Sequence, residues 1–161
     1  MNASTSHPLA PAPRTFGEAV QRARSDPGYG AFLLLRIGFT VLPIAFGLDK
    51  FTNVLTTWEN YLAPWIADLS PFSAHQTMWV VGVIEIVAGL AVAVKPRYAA
   101  FVVAAWLAGI VINLLSYPGF YDVALRDFGL MLAALTLGRL ALAYDPAWHR
   151  HTVAARNLSA A

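Results

Sequence analysis

The chain has 161 residues, of which 58% are hydrophobic and only 12% are charged, whereas charged residues make up about a quarter of a typical soluble domain. This composition indicates an integral membrane protein of one domain. The formal net charge of +2 does not indicate a nucleic-acid partner, because the basic residues flank hydrophobic segments and form no stripe. The absence of cysteine excludes disulfides, thiolate chemistry, iron–sulfur ligation and covalently attached haem.

Residues 1–28 are predicted to form a tail that carries a short amphipathic surface helix. The three prolines among residues 1–14 are typical of a disordered segment. Thr15 and Glu18 have the spacing of a capping box, and Asp26-Pro27-Gly28 is expected to stop the helix that they begin. No apolar core of the signal-peptide type precedes residue 30, so we expect the first hydrophobic segment to remain in the protein.

Four hydrophobic segments follow, and each is long enough to cross about 30 Å of hydrocarbon as a helix. Pro43 lies inside the first segment and is expected to kink it. The second is apolar except for Glu85, and the third has Asn113 as its strongly polar residue. The fourth is the weakest, because Arg126 and Asp127 lie in its first turns. The predicted spans are 29–51, 76–94, 98–117 and 122–144, which together form one domain over 29–144.

The distribution of basic residues predicts that both ends of the chain are cytoplasmic. With the N-terminus inside, the outer segments carry only Lys50 and Arg126, and the tail at 145–161 is cytoplasmic. The expected fold is therefore an all-α, integral membrane four-helix bundle of N-in/C-in topology. The basic residues then on the inner side are Arg14, Arg22, Arg24, Lys95, Arg97, Arg139, Arg150 and Arg156.

The first outer loop, residues 52–75, is predicted to contain an amphipathic segment. Its apolar residues recur at helical spacing, with Glu59 and Asp68 on the other side. Two interpretations stay open: the segment lies on the outer leaflet, or it packs as a lid over the end of the bundle. Tryptophan is enriched at membrane interfaces, so an outer interfacial position is expected for Trp58, Trp65 and Trp79.

Seven polar residues are expected inside the bundle or at its ends. Glu85 lies near the middle of its span, where a charged residue costs about 2.5–3.5 kcal/mol on insertion scales, so its side chain should face inward and find a partner. That partner could be Arg36, Lys50 or Arg126. Both a proton-handling or ligand-binding role and a purely structural buried pair stay open. The predicted intramembrane polar cluster is Arg36, Asp49, Lys50, Glu85, Asn113, Arg126 and Asp127.

Arg126 and Asp127 have a second interpretation, because both suit the beginning of a helix. An acid is favoured there by the helix dipole, and an arginine can reach the lipid headgroups. Elsewhere, no histidine lies inside a predicted span, which disfavours a bis-His haem site. The sequence also lacks metal-ligand spacing, a phosphate loop and a nucleophile motif. We therefore expect no metal site and no cofactor belonging to the chain itself.

Short motifs occur in a fixed order between residues 33 and 140. They are Arg36 in the first span, Gly47-Leu48-Asp49-Lys50-Phe51 at its outer end, Glu85 with Gly89 in the second span, and Arg126-Asp127 opening the fourth. In this order and at these positions they resemble the DoxX-like family of small four-helix bacterial membrane proteins. The long amphipathic loop and the Asp before Lys50 depart from the commonest form of that family and indicate a divergent branch.

The resemblance implies a location in the bacterial inner membrane and an association with respiratory or redox systems. We expect a subunit that is non-catalytic alone, with the bilayer, other membrane subunits or further copies of itself as partners and a quinone as the candidate ligand. Two alternatives stay open. One is a small proton-coupled carrier or pore centred on Glu85. The other is a quinone-reducing subunit similar to that of thiosulfate:quinone oxidoreductase, with Arg36, Glu85 and Asp127 as polar contacts.

Overall fold

A computed structural model describes residues 13–145, so the parts of the predicted tails at 1–12 and 146–161 lie outside the described residues. Within 13–145 the regular structure is entirely helical, as the sequence predicts. A 3₁₀ turn spans Trp58–Tyr61. The α-helices are α1 Phe16–Ser25, α2 Pro27–Asp49, α3 Pro64–Leu69, α4 Ala74–Val94, α5 Pro96–Leu115 and α6 Tyr121–Tyr144.

Four of these helices, α2, α4, α5 and α6, are long and apolar enough to cross a membrane. Each exposes large apolar side chains to the outside of the bundle. Examples are Leu34, Val87, Val102 and Leu125, which are exposed by 73%, 59%, 66% and 72%. An exterior of this kind is unfavourable in water and suited to lipid. The chain is therefore a multi-pass membrane protein built for a bilayer.

The helix boundaries lie within two residues of the predicted ones, and two prolines explain part of the difference. Pro27 and Pro96 occupy the first turn of α2 and α5, where a residue without a backbone N–H is tolerated. The expectation that α1 stops at Asp26-Pro27-Gly28 is confirmed, because α1 ends at Ser25 with Asp26 as its cap. Pro27 and Gly28 are themselves helical, since they begin α2. Pro43 lies within α2, which continues as one helix across it.

A single non-helical residue, Asp26, joins α1 to α2. Its backbone N–H donates to the Arg22 carbonyl at 2.8 Å, and its carboxylate accepts the Tyr29 N–H at 3.1 Å. One residue thus ends one helix and caps the next. At the start of α1, the Thr15 hydroxyl accepts the Glu18 N–H at 3.2 Å as predicted. The capping box is altered, however, because the Glu18 carboxylate accepts the N–H of Arg14, at 2.7 Å.

The bundle consists of two antiparallel pairs, α2 with α4 and α5 with α6, which meet through α2–α6 and α4–α5 contacts. The two backbones of the first pair approach closely where Gly47 faces Gly82. A Cβ atom added to either glycine would lie 2.6 Å from the carbonyl oxygen of the other. Only glycine permits this approach of the two backbones. The end of the bundle beside α3 is called the loop end below, and the end beside α1 is called the termini end.

Residues 51–73, here called the lid, connect α2 to α4 across the loop end. The Asn113 side chain of α5 accepts the Ala63 N–H at 2.9 Å and donates to the Tyr61 carbonyl at 2.7 Å. The Trp65 indole N–H donates to the Ser116 hydroxyl at 2.8 Å. These bonds favour the lid interpretation for the inner side of the segment. Its opposite side still exposes apolar side chains, among them Leu69 at 77%.

Candidate functional site

The carboxylate of Glu85 pairs with Lys50 inside the bundle. Lys50 follows the last residue of α2, and its Nζ lies 2.6 Å from Glu85 Oε2 in the middle of α4. The two side chains are only 4% and 13% exposed. Taking both charges out of water costs several kcal/mol for each ion, which their attraction must offset. Of the three partners that the sequence left open for Glu85, the structure selects Lys50.

The indole of Trp58 covers the same lysine. Lys50 Nζ lies 3.7 Å from the centre of the Trp58 ring, a cation–π arrangement that stabilises an ammonium shielded from water. The indole N–H of Trp58 donates to the Asp49 carboxylate at 2.7 Å. One tryptophan of the lid thus contacts two consecutive charged residues at the end of α2.

Asp49 serves the lid and is not an ion-pair partner of Lys50. Besides the Trp58 indole, its carboxylate accepts the backbone N–H groups of Val54 and Leu55 at 3.0 to 3.2 Å, and the Thr52 hydroxyl at 3.2 Å. The residue is 8% exposed. An ionised carboxylate that accepts this many hydrogen bonds is well satisfied even where it is shielded from water. Its place in the predicted cluster is therefore that of an anchor for the lid.

A second carboxylate approaches the Lys50–Glu85 pair from α6. Asp127 is six residues from the start of that helix, about 9 Å along its axis at the usual rise. It lies close enough to Lys50 and to Glu85 to interact electrostatically with both, and its own neighbour Arg126 attracts it as well. We call Lys50, Glu85 and Asp127 the charge cluster. Lys50 at the end of α2 and Glu85 in α4 are in contact, and Asp127 in α6 interacts with this pair at longer range.

The remaining predicted residues lie elsewhere. The Arg36 guanidinium donates to the Ala93 carbonyl near the termini end of α4, and this bond satisfies one of the carbonyls that the end of a helix leaves free. Asn113 binds the lid backbone, as described above. Arg126 is exposed on the surface of α6. The seven predicted residues therefore separate into a charge cluster, two lid anchors and two arginines that stand apart from the cluster.

The three tryptophans expected at the interface all lie at the loop end, with different contacts. Trp58 covers Lys50 of the charge cluster, and Trp65 is hydrogen-bonded to Ser116. Trp79 stacks on Phe51 with ring centres 6.1 Å apart and contacts the His75 ring at 4.8 Å. Trp65 and Trp79 are partly exposed, by 47% and 42%. Each indole can therefore contact both the protein and a surrounding interface.

Sequence reasoning missed a polar contact that ties the lid to α4. The Glu59 carboxylate contacts the His75 imidazole and also accepts both hydrogen bonds from the Asn53 side chain, at 3.2 and 3.3 Å. Hydrogen bonding, from His75 above all, holds the pKa of the Glu59 carboxyl below its usual range. The residues are 16 positions apart, and no helical or strand period connects them. The sequence indicated only that Glu59 and His75 are polar and belong to the same predicted loop.

In this arrangement Lys50 is shielded from water, lies near the carboxylates of Glu85 and Asp127, and is covered by the Trp58 ring. Such a group can hold a proton, can fix the packing of three helices, or can present charge to a ligand that enters beside the lid. Within residues 13–145 there is no group of three histidine or acidic residues placed to hold a metal ion.

Fold and site together define a small multi-pass membrane protein with a lidded charge cluster at one end of a four-helix bundle. The chain matches no family model, no curated protein and no solved structure. The resemblance to the DoxX-like family therefore stays a prediction that rests on its motifs.

Proposed function

We propose that the protein is a small membrane subunit that docks a redox or respiratory enzyme through the lid. One observation carries the proposal: the lid is bonded to the bundle and yet presents large apolar side chains outward. Val54, Leu55, Leu69 and Phe72 are exposed by 80%, 64%, 77% and 53%. A preformed apolar surface of this kind loses little conformational freedom when it binds. Exposed patches that combine apolar groups with a polar rim are typical of protein interfaces.

The charge cluster supports this proposal through its effect on the lid. Lys50 is neutralised by Glu85 and covered by Trp58, while Asp49 holds the first residues of the lid. These contacts use the charged groups to fix the shape of the docking surface. The protein would then supply position and support, and the enzyme that it binds would supply the catalytic groups. This fits a subunit that is non-catalytic alone.

The redox assignment rests on the motif resemblance, in which Lys50, Glu85 and Asp127 are among the matching residues. In this proposal the partner carries the redox cofactor, and a quinone in the bilayer is the ligand shared at the interface. The bacterial inner membrane is the proposed location. Other copies of the chain are a second kind of partner, which the mass of the purified assembly would distinguish.

The proposed topology has both ends of the chain in the cytoplasm. It is supported by the exposed basic residues Arg14, Arg24, Lys95 and Arg139, which all lie at the termini end, because basic residues are retained on the cytoplasmic side. Since the chain lacks cysteine, single cysteines can report on this directly. A cysteine at Asp68, which is exposed on α3, should react with an impermeant reagent in intact spheroplasts, whereas one at Lys95, exposed at the termini end, should react only after lysis.

Purification from native membranes in a mild detergent tests the docking proposal. We expect a stoichiometric partner that contains flavin, haem or iron, together with extractable quinone. Leu69→Glu should remove that partner without changing the thermal stability of the bundle, while Asp68→Asn on the same short helix should retain it. A lone protein without partner or quinone would contradict the proposal. Thiosulfate-dependent quinone reduction by the purified chain would replace it with the quinone-reducing alternative.

A second candidate function is a proton-coupled carrier centred on Glu85. The observation that favours it is that the Asp127 carboxylate lies near the Lys50–Glu85 pair, with Arg126 and Lys50 as the cations that attract it. Two acidic groups near one another inside a bundle provide a place for a proton. In reconstituted vesicles Glu85→Gln should then abolish pH-dependent flux. Flux that is absent from the unmodified protein, or unchanged by this variant, would remove this candidate.

A further inference from the structure

The short helix α1 has one side against the bundle. The Arg22 guanidinium lies 4.5 Å from the centre of the Tyr29 ring and 5.8 Å from that of Tyr144. A Cβ atom added to Gly30 would lie 2.9 Å from the Ala23 carbonyl oxygen. The Tyr144 hydroxyl, at the end of α6, also donates to Asp26, which joins α1 to α2. Contacts with both α2 and α6 therefore hold α1 in a definite position.

The opposite side of α1 is apolar and open. Phe16, Val20 and Arg24 line a shallow furrow there, together with Gly17 and Gln21. Phe16 is 86% exposed, more than any other large apolar side chain among residues 13–145. A docked helix gains nothing from presenting such a side chain to water, so this side of α1 fits an apolar environment outside the protein.

The position of α1 along the chain identifies that environment. Only Asp26 separates α1 from α2, and α2 is a candidate membrane span that begins at Pro27. The helix is therefore tethered at the depth where a span leaves the hydrocarbon, which is the headgroup layer. A soluble partner would have to reach into this layer to cover Phe16, whereas lipid is already there.

Exposed cations lie beside α1 and elsewhere at the same end of the bundle. Among the residues that the structure describes, none of them forms a salt bridge. The nearby acids already accept other bonds, because Glu18 accepts the Arg14 backbone N–H and Asp26 accepts the Tyr29 N–H. Basic groups around an apolar helix side are complementary to phosphate headgroups above acyl chains. The exposed cations at this end are Arg14, Arg24, Lys95 and Arg139.

We infer that α1 is a binding site for anionic phospholipid in the leaflet beside the termini end. Phe16 and Val20 enter the boundary between headgroups and acyl chains, and Arg14 and Arg24 contact the lipid phosphates. The helix then fixes the first span against the membrane surface through lipid on one side and Tyr29 and Tyr144 on the other. This inference is independent of the docking function proposed above and of the direction in which the chain crosses the membrane.

A fluorescence experiment with the full chain tests this inference. Gly17→Cys is suited to a polarity-sensitive fluorophore, because the chain has no other cysteine and a Cβ at Gly17 meets no atom within 4 Å. The labelled protein is placed in nanodiscs of phosphatidylcholine alone or mixed with phosphatidylglycerol. We expect blue-shifted emission and protection from an aqueous quencher in the anionic discs, with both effects reduced by salt. Equal quencher access in the two kinds of disc would overturn the inference.

Paired variants separate charge from apolar contact. Arg14→Gln with Arg24→Gln should lower the ratio of protected to accessible label about 25-fold in anionic discs, at roughly fivefold for each cation near the surface. Arg14→Lys with Arg24→Lys keeps the charges and should retain most of the protection. A glutamine pair that behaves like the lysine pair would contradict headgroup recognition. Protection seen only in native membranes, and in neither disc, would assign the surface to a protein and overturn the lipid site.

Discussion

The indole N–H of Trp58 donates a 2.7 Å hydrogen bond to the carboxylate of Asp49, and this bond joins the lid to the last residue of α2. The ring of the same indole covers Lys50, which is paired with Glu85. The conformation of the lid and the arrangement of the charge cluster therefore both depend on the Trp58 side chain. A substitution of Trp58 should therefore affect both the lid and the charge cluster.

Replacing Trp58 with phenylalanine should separate its two contacts. Trp58→Phe keeps a ring over Lys50 but loses the hydrogen bond to Asp49, and bonds to charged groups contribute about 1.5–3 kcal/mol. We expect the free energy of unfolding in detergent to fall by about that amount and proteolysis of the lid to become faster. Trp79→Phe is the matched control, since Trp79 contacts its neighbours by ring stacking. Equal losses in the two variants would contradict the assigned bond.

The Lys50–Glu85 pair should show strong energetic coupling. Lys50→Met leaves the Glu85 carboxylate shielded and without its cation, and breaking a buried pair in this way costs about 3–5 kcal/mol. Adding Glu85→Leu to that variant removes the orphaned charge, so the double variant should recover most of the lost stability. Chemical unfolding of the four members of this cycle in one detergent measures the coupling. Additive single and double effects would show that the two side chains do not depend on each other.

The helices could be predicted closely because their signals are local. Long apolar runs are read directly from the chain, and the boundaries fall within two residues. The prolines that begin α2 and α5 lie two residues before the predicted starts of those spans. The close approach of α2 to α4 was harder to predict from the sequence. Small residues four positions apart occur in α5 and α6 as Ala105 with Gly109, Gly129 with Ala133, and Ala134 with Gly138. A Cβ added to Gly138 would lie 2.8 Å from the Phe101 ring, whereas one added to Gly109 or Gly129 would meet no atom within 4 Å. Glycine spacing alone does not show which side of a helix faces a neighbour.

The site was predictable as a set of residues and not as a set of contacts. The position of Glu85 near the middle of its span indicated that it needed a partner. The packing of α2 against α4 was required to distinguish among its three candidate cations. The bonds of Asn113 to the lid depend on a sequence separation of 50 and 52 residues. Amphipathicity described the lid's two sides correctly and could not state that the bundle end covers one of them.

The glycine contact between α2 and α4 gives a prediction with a close control. Gly82→Ala places a methyl group 2.6 Å from the Gly47 carbonyl oxygen, so the two helices must separate and the loss of packing should exceed any gain in helix propensity. Gly109→Ala, on an open side of α5, should stabilise the protein by up to about 1 kcal/mol. Thermal unfolding in detergent compares the two. A stabilised Gly82→Ala protein would refute the close approach.

The contact of Glu59 with His75 predicts how the lid responds to acid. Because the pKa of Glu59 is held below its ordinary value of 4.5, its carboxylate contributes stability that is fully present above that value. The contribution is lost as the pH falls through the lowered pKa, since the folded protein must then take up a proton that breaks these hydrogen bonds. Comparing unmodified protein with Glu59→Gln isolates this group from the other acids.

We therefore expect the stability difference between the unmodified protein and Glu59→Gln to be constant near neutral pH and to shrink below pH 4.5. The measurement is the free energy of unfolding in detergent at successive pH values, with lid proteolysis as a local readout. His75→Phe removes the main cause of the lowered pKa, so in that background the Glu59→Gln difference should be smaller and less dependent on pH. A difference that grows on acidification would have the opposite sign and would show that Glu59 is destabilising in its ionised form.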